Sequence, residues 1–181
     1  MTEQLEVLSD IVSRLDQADI PYMVSGSVAM NYYALPRMTR DIDLVVELRR
    51  GDVARLEDVL GQDYYFSTEA ATAALARRTM FNLIHHGFMV KVDCIVRKDT
   101  EYRKLEFSRR RKVQALGVAF HIASPEDLIL SKLDWARESR SELQLGDVRN
   151  LLDAVIDLDR DYVAAWAAKL GLSDLLAELM P

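Results

Sequence analysis

Apolar residues recur at helical spacing along the first stretch of the chain. Leu5, Leu8, Ile11, Val12 and Leu15 share one face of a helix predicted over residues 2–18. The period then changes. Pro21-Tyr22-Met23-Val24 reads as a short strand running into Ser25-Gly26-Ser27, and those small polar residues open a helix over 28–33. Ile42-Asp43-Leu44-Val45-Val46 is a β-branched, apolar strand that begins with acids. Helices follow over 51–60 and 68–78. Strands are predicted over 80–85 and 89–96, joined by a tight turn at His86-Gly87, and a further hairpin over 113–116 and 118–122 crosses Gly117.

At Ser124 the pattern becomes purely helical. Ser124-Pro125-Glu126-Asp127 is a strong helix start: a capping serine, proline in the first turn, then acids against the positive helix end. Breaks are expected near Leu145-Gly146-Asp147, near 157–161 and at Gly171-Leu172-Ser173. Alternating elements followed by helices predict an α/β core over 1–122 and a helical C-terminal region over 123–181 that packs on it.

Composition narrows the class. Of 181 residues, half are hydrophobic and 29% are charged, as in an ordinary globular protein. The single cysteine, Cys94, excludes a disulfide framework and a cysteine-rich zinc site. The opening Met1-Thr2-Glu3-Gln4-Leu5-Glu6 is acidic and amphipathic, unlike a secretory leader, and no apolar run approaches the ~20 residues that span a bilayer. A reduced, cytoplasmic enzyme or interaction domain with no membrane partner is the expectation. The net charge of −6 argues against a surface that clamps nucleic acid throughout. Positive charge is concentrated in residues 97–112, read either as a solvated loop or strand edge, or as a patch for an anionic substrate.

Three features carry chemistry. Asp41 and Asp43 alternate with Ile42 and Leu44, so both carboxylates leave one face of a strand whose other face is apolar. Two neighbouring carboxylates repel, and burial raises the pKa of at least one; a hard divalent cation removes the conflict. Asp93, in Val90-Lys91-Val92-Asp93-Cys94-Ile95-Val96, is a carboxylate within a β-rich run, costly to bury alone. If its strand lies beside the first, Asp93 faces the same metal or serves as general base for an attacking hydroxyl; pairing with Lys91 or an arginine is its ordinary reading. Finally, a strand turning through Gly26-Ser27 into a helix presents free backbone N–H groups at a positive helix end, which suits phosphate. His85-His86 lacks partners at metal-ligand spacing, and Tyr32-Tyr33 and Tyr64-Tyr65-Phe66 read as core or pocket wall.

Together, Gly26-Ser27, Asp41-Ile42-Asp43 and Asp93 resemble the signature of the polymerase-beta-type nucleotidyltransferases. Gly-Ser-Val-Ala-Met from Gly26, Arg37-Met38-Thr39-Arg40-Asp41-Ile42-Asp43-Leu44, and Ser124-Pro125-Glu126-Asp127-Leu128-Ile129-Leu130-Ser131-Lys132-Leu133 are similar to the AbiEii-like members. The resemblance spans roughly residues 21–152 and implies a mixed sheet flanked by helices, the nucleotidyltransferase fold. It implies that Gly26, Ser27, Arg37 and Thr39 lie on the nucleotide's phosphates, and that Asp41 and Asp43 ligate one or two Mg2+ ions. Asp93 serves the acceptor side and the metal. Lys132 reaches the triphosphate, positioned by Asp147. Thirteen residues separate Ser27 from Asp41, longer than the commonest spacing of the superfamily.

The implied activity is magnesium-dependent transfer of a nucleoside monophosphate from a nucleoside triphosphate to a hydroxyl, on an RNA or tRNA 3′ end, a protein or a small molecule. AbiEii-like proteins include toxins of toxin–antitoxin pairs, which adds a cognate antitoxin as a partner. A non-catalytic relative that binds a nucleotide or a protein is the alternative, and a hydrolase on the same metal site is a third reading.

Overall fold

In a computed structural model, described for residues 2–115 and 117–180, the Thr2 hydroxyl accepts a hydrogen bond from the Leu5 N–H and caps α1 (Glu3–Gln17). The apolar stripe of α1 buries Val7, Leu8, Ile11, Val12 and Leu15. β1 (Tyr22–Val24) follows, then α2 (Gly26–Tyr33), which starts at the glycine itself, two residues earlier than expected. β2 (Ile42–Val46) shows the alternation in its burial: Ile42, Leu44 and Val46 are buried, while Asp43 and Val45 face the more open side.

α3 (Asp52–Leu60), β3 (Tyr64–Tyr65) and α4 (Thr68–Arg77) lead to β4 (Met80–His85) and β5 (Lys91–Val96). The strand expected from residue 89 begins at Lys91, because the connection after His85 is wider than a two-residue turn. The basic segment is the largest departure. Part of it folds as α5 (Glu101–Ser108), capped by Thr100, where a loop or strand edge was expected. β6 (Arg111–Ala115) and β7 (Val118–Ile122) form the predicted hairpin; Leu116, assigned to its first strand, lies outside the described residues.

Among the described residues, seven strands form one mixed sheet in the order β3-β4-β5-β2-β1-β7-β6. β2 and β5 run parallel, as do β1 and β7; the other neighbours are antiparallel. The helical region follows as α6 (Pro125–Ser139), α7 (Glu142–Ala154), α8 (Arg160–Leu170) and α9 (Ser173–Ala177). The break expected at Leu145-Gly146-Asp147 is absent. α7 runs through it, and the interruption falls at Arg140, whose left-handed backbone caps α6. One helical glycine costs about 1 kcal/mol. Burial of Leu145, Val148, Leu151 and Leu152 along the same helix outweighs it.

α6 packs on α2, α7 and α8, and its apolar face joins the hydrophobic core of the sheet. Its N-terminus is tied down by buried polar contacts: Ser124 Oγ lies 2.7 Å from Asp127 Oδ2, and the hydroxyls of Tyr162 and Tyr102 donate to Asp127 Oδ1 at 2.7 and 3.3 Å. This anchoring fixes the height of α6 above the sheet. Among the described residues, no helix is long and apolar enough to cross a membrane.

Candidate active site

Parallel pairing of β2 with β5 sets Asp43 level with Asp93. Their side chains leave the same face of the sheet, beside the turn from β1 into α2. Gly26 sits there with φ +60°, a conformation that L side chains disfavour, and a Cβ at this position would overlap the Asp43 carboxylate. Glycine is required here on both counts. The Ser25 N–H donates to the Asp43 carbonyl at 2.9 Å, so backbone and side chain of Asp43 both meet the turn.

Burial pushes the Asp43 carboxyl above its ordinary range, and the negative charges of Asp93 and Asp41 add to this. Lys132 and the Ser27 backbone amide pull in the other direction without prevailing. Asp93 is buried, with Oδ2 at 2.9 Å from the Lys91 ammonium and Oδ1 without a hydrogen-bond partner among the described residues. Asp41 is half exposed and lies 3.5 Å from the same ammonium. Asp93 therefore pairs with Lys91, its ordinary reading, and its strand does lie beside that of Asp43. Among the described residues, no three His, Cys, Asp or Glu side chains converge as a metal cluster. Lys91 holds Asp41 and Asp93, and Asp43 stands apart from that ion pair.

A second group faces the acids from the helices. Asp147 on α7 accepts two hydrogen bonds from Arg37, Nε to Oδ1 at 2.7 Å and Nη2 to Oδ2 at 2.8 Å. Its Oδ2 also accepts from Lys132 Nζ on α6 at 2.7 Å. Arg37 Nη2 reaches Ser27 Oγ at 2.6 Å, which links the helical region to the Gly-Ser turn. Burial lowers the affinity of Lys132 for its proton, against the pull of Asp147. Burial alone would raise the Asp147 carboxyl, but the hydrogen bonds from Arg37 and Lys132 outweigh it and hold the carboxyl below its ordinary range. The long connection between Ser27 and Asp41 is shaped by Asn31, whose amide donates to the Arg37 carbonyl at 2.8 Å and accepts from the Arg37 N–H at 2.9 Å. Thr39 bonds the Asp41 carbonyl through its hydroxyl at 3.4 Å.

Two hollows meet at Ser27, Asp43 and Gln144. The larger, about 540 Å³, reaches from Gly26 across Val45 and Ile95 to Arg97, Lys132 and Trp135. The smaller, about 350 Å³, is walled by Arg37, Met38, Thr39, Asp41 and Leu143. Gly26, Ser27, Arg37, Thr39, Asp41, Asp43 and Lys132 line these hollows. Asp93 and Asp147 line neither, and join the site through the strand pairing with Asp43 and through the bonds from Arg37 and Lys132. Gln144 and Trp135 were not expected. Gln144 accepts from Lys132 Nζ at 3.1 Å and stands one turn before Asp147. Trp135 is 68% exposed, three residues after Lys132 at the rim. Helical periodicity alone would have placed both next to the residues already singled out.

Half of the basic residues of 97–112 are neutralised, and Lys98, Lys104, Arg110 and Lys112 form no ion pair among the described residues. Arg97 pairs with Glu47 and Asp99, Arg103 with Glu106 and Asp134, Arg109 with Glu126 and Asp127, and Arg111 with Glu126. Tyr33 and Tyr64 are structural, their hydroxyls bonded to the Ala123 carbonyl and Asp10.

No protein-family model matches the sequence, and no curated protein sequence matches it. Solved structures do. The solution structure of the antibiotic-resistance factor ANT(2'')-Ia superposes with a TM-score of 0.64 over 97% of this chain and 95% of that one, at 17% identity. The crystal structure of ANT(2'')-Ia in complex with adenylyl-2''-tobramycin gives 0.61 over 93% and 97%, at 18% identity. The lincomycin-bound lincosamide antibiotic adenylyltransferase LnuA gives 0.54 over 86% and 99%, at 13% identity. The chain has the nucleotidyltransferase fold.

Proposed function

We propose that the protein is a magnesium-dependent nucleotidyltransferase that moves a nucleoside monophosphate from a nucleoside triphosphate to a hydroxyl of a small molecule. The observation that carries this reading is the convergence around one cleft of Asp43, level with Asp93, the Gly26-Ser27 turn, and Lys132 and Arg37, both bonded to Asp147 behind them. The donor set fits a hard divalent cation: two carboxylates side by side, one with a buried oxygen lacking a partner among the described residues. Asp43 and Asp93 would hold the ion, with Asp41 at its edge. Once bound, magnesium supplies neutralisation of the phosphate oxygens.

The chain's own residues do the rest. The N-terminal amides of α2 and the Ser27 hydroxyl cradle phosphate oxygens. Lys132 and Arg37 bring positive charge to the triphosphate, and Asp147 keeps both aimed and Lys132 protonated against the pull of burial. Asp93, on the acceptor side, takes the hydroxyl proton. The acceptor oxygen bonds to the α-phosphorus while the bond to the bridging oxygen breaks, and pyrophosphate leaves. Positioning and charge supply the catalysis, with no covalent enzyme intermediate.

A small-molecule acceptor is favoured over RNA for two reasons. Four of the eight basic residues in the segment that suggested RNA, Arg97, Arg103, Arg109 and Arg111, are engaged in ion pairs with the protein's own acids. The two antibiotic-linked structural neighbours were also solved with small molecules, adenylyl-2''-tobramycin and lincomycin.

Label transfer tests the reading. The protein is incubated with magnesium, each α-labelled nucleoside triphosphate and a bacterial extract, and the products are separated into RNA, protein and small-molecule fractions. Label in the small-molecule fraction that vanishes with Asp43→Asn is the expected result. Label in RNA or protein would overturn the acceptor class. Magnesium-dependent nucleotide binding with no transfer would favour the non-catalytic binding protein.

A further inference from the structure

The chemistry above gives no part to Lys91, although its ammonium stands at the centre of the acids. Lys91 precedes Asp93 by two residues on β5, so both side chains leave the same face of the sheet. The ammonium lies 2.9 Å from Asp93 Oδ2 and 3.5 Å from Asp41 Oδ2, bridging a carboxylate of β5 and the one immediately before β2. Its side chain is 37% exposed, so the charge sits at the mouth of the site and is not sealed beneath it.

Asp93 consequently divides its oxygens. Oδ2 accepts from Lys91, while Oδ1 is buried and has no partner among the described residues. Asp43, level with Asp93, has its charge favoured by the Ser27 backbone amide and forms no ion pair among the described residues. On the far side of β5, the residue level with Asp93 is Asn82, which is neutral. The acids thus offer two cation positions of unequal kind. One, between Asp41 and Asp93 Oδ2, already holds an ammonium; the other, at Asp43 and Asp93 Oδ1, forms no ion pair among the described residues, Lys132 acting on Asp43 only from a distance while bonded to Asp147.

We infer that Lys91 is a tethered cation that fills the Asp41–Asp93 position, so that the site takes a single divalent ion, at Asp43 and Asp93 Oδ1. The inference rests on the nucleotidyltransferase reading and its metal. Charge balance supports it: Asp41, Asp43 and Asp93 are matched by one ammonium and one divalent ion, while Arg37 and Lys132 are engaged with Asp147. A second divalent ion would have to displace Lys91 and then sit beside an ammonium it cannot escape. An ammonium is suited to the place because it is a compact point charge whose three donors can bridge carboxylates.

The test is metal stoichiometry. Mn2+ alone is titrated into metal-free wild-type protein and the Lys91→Met variant, which keeps the aliphatic stem, and bound ion is counted from the loss of the free-ion paramagnetic resonance signal. Lys91→Gln serves as a second charge-removing variant if the methionine variant does not fold. One ion per wild-type chain and two per variant chain is the expected result, with the variant's first ion bound about tenfold more tightly. Mn2+ should also raise the variant's melting temperature by more than it raises that of the wild type. Equal stoichiometry and affinity in wild type and variant, or two ions on the wild type, would overturn the role of Lys91 alone. No Mn2+ bound to either protein would overturn the metal reading of the whole site, and this inference with it.

Discussion

Arg37 and Asp147 lie 110 residues apart in sequence and are joined by two near-parallel hydrogen bonds of 2.7 and 2.8 Å. Through this fork the loop that follows α2 is clamped to the helical region, and Lys132 is held in the same grip. Replacing Asp147 with asparagine leaves the Lys132 ammonium buried and the guanidinium half-satisfied. The expected cost is roughly 3 kcal/mol, read as a lower urea midpoint at unchanged slope. Nucleotide transfer should fall with it.

The same carboxylate makes stability depend on acidity. Asp147 ionises below its ordinary range in the folded protein, so its contribution is complete above the unfolded value near pH 4. It is lost as pH falls through the lower, folded value. Wild type and Asp147→Asn should therefore differ most near neutrality and converge in acid, as followed by thermal melts between pH 7 and pH 2.5.

Asp43 is expected to show the opposite balance of stability and function. It is partly buried beside two other acids, so ionised Asp43 works against the folded state in the absence of a cation. Asp43→Asn should melt above the metal-free wild type at pH 7 while transfer drops on the order of a thousandfold. A variant that melts lower and still turns over would contradict the placement of Asp43 among the acids.

Gly26→Ala introduces a Cβ where φ is positive and where the Asp43 carboxylate already lies. The backbone alone should cost about 1–2 kcal/mol, and Asp43 must also move. A lowered urea midpoint together with lost transfer is expected. Gly61→Ala also has positive φ, but its Cβ meets open space; it should share the backbone cost and retain transfer.

Trp135 stands exposed at the rim of the larger hollow, where its indole is free to stack on an aromatic ligand. Trp135→Ala should change stability by less than about 0.5 kcal/mol. Its KM for the triphosphate should rise roughly tenfold, in keeping with ~1–3 kcal/mol for base stacking. Quenching of Trp135 fluorescence by nucleotide, measured in a Trp166→Phe background, checks the contact directly.

Much of this arrangement was legible in the residues. Alternation in Ile42-Asp43-Leu44-Val45-Val46 revealed both the strand and the face carrying its acid, because a period of two leaves no other solution. Ser124-Pro125-Glu126-Asp127 marked the start of α6 because each residue satisfies a different demand of a helix N-terminus. α5 was missed for the converse reason. Its packing rests partly on Glu106, buried because Arg103 and Ser131 bond it, and a partner 25 residues away leaves no local periodicity. Gly146 was overweighted as a breaker, since its local cost is small beside the apolar stripe around it. Asp43 and Asp93 could each be singled out, but their shared level depends on strand order and register, which one sequence does not display.

That register has a consequence for how such a chain tolerates change over evolutionary time. A slip of one residue between β2 and β5 would turn Asp43 or Asp93 inward and bring Leu44, Val92 or Cys94 to the surface. An insertion inside either strand therefore destroys the cleft and the interior in one event. The loops between them, by contrast, can lengthen without disturbing the alignment. Length changes compatible with the cleft are thereby confined to the connections and the helices that roof it, and the two strands must keep their length.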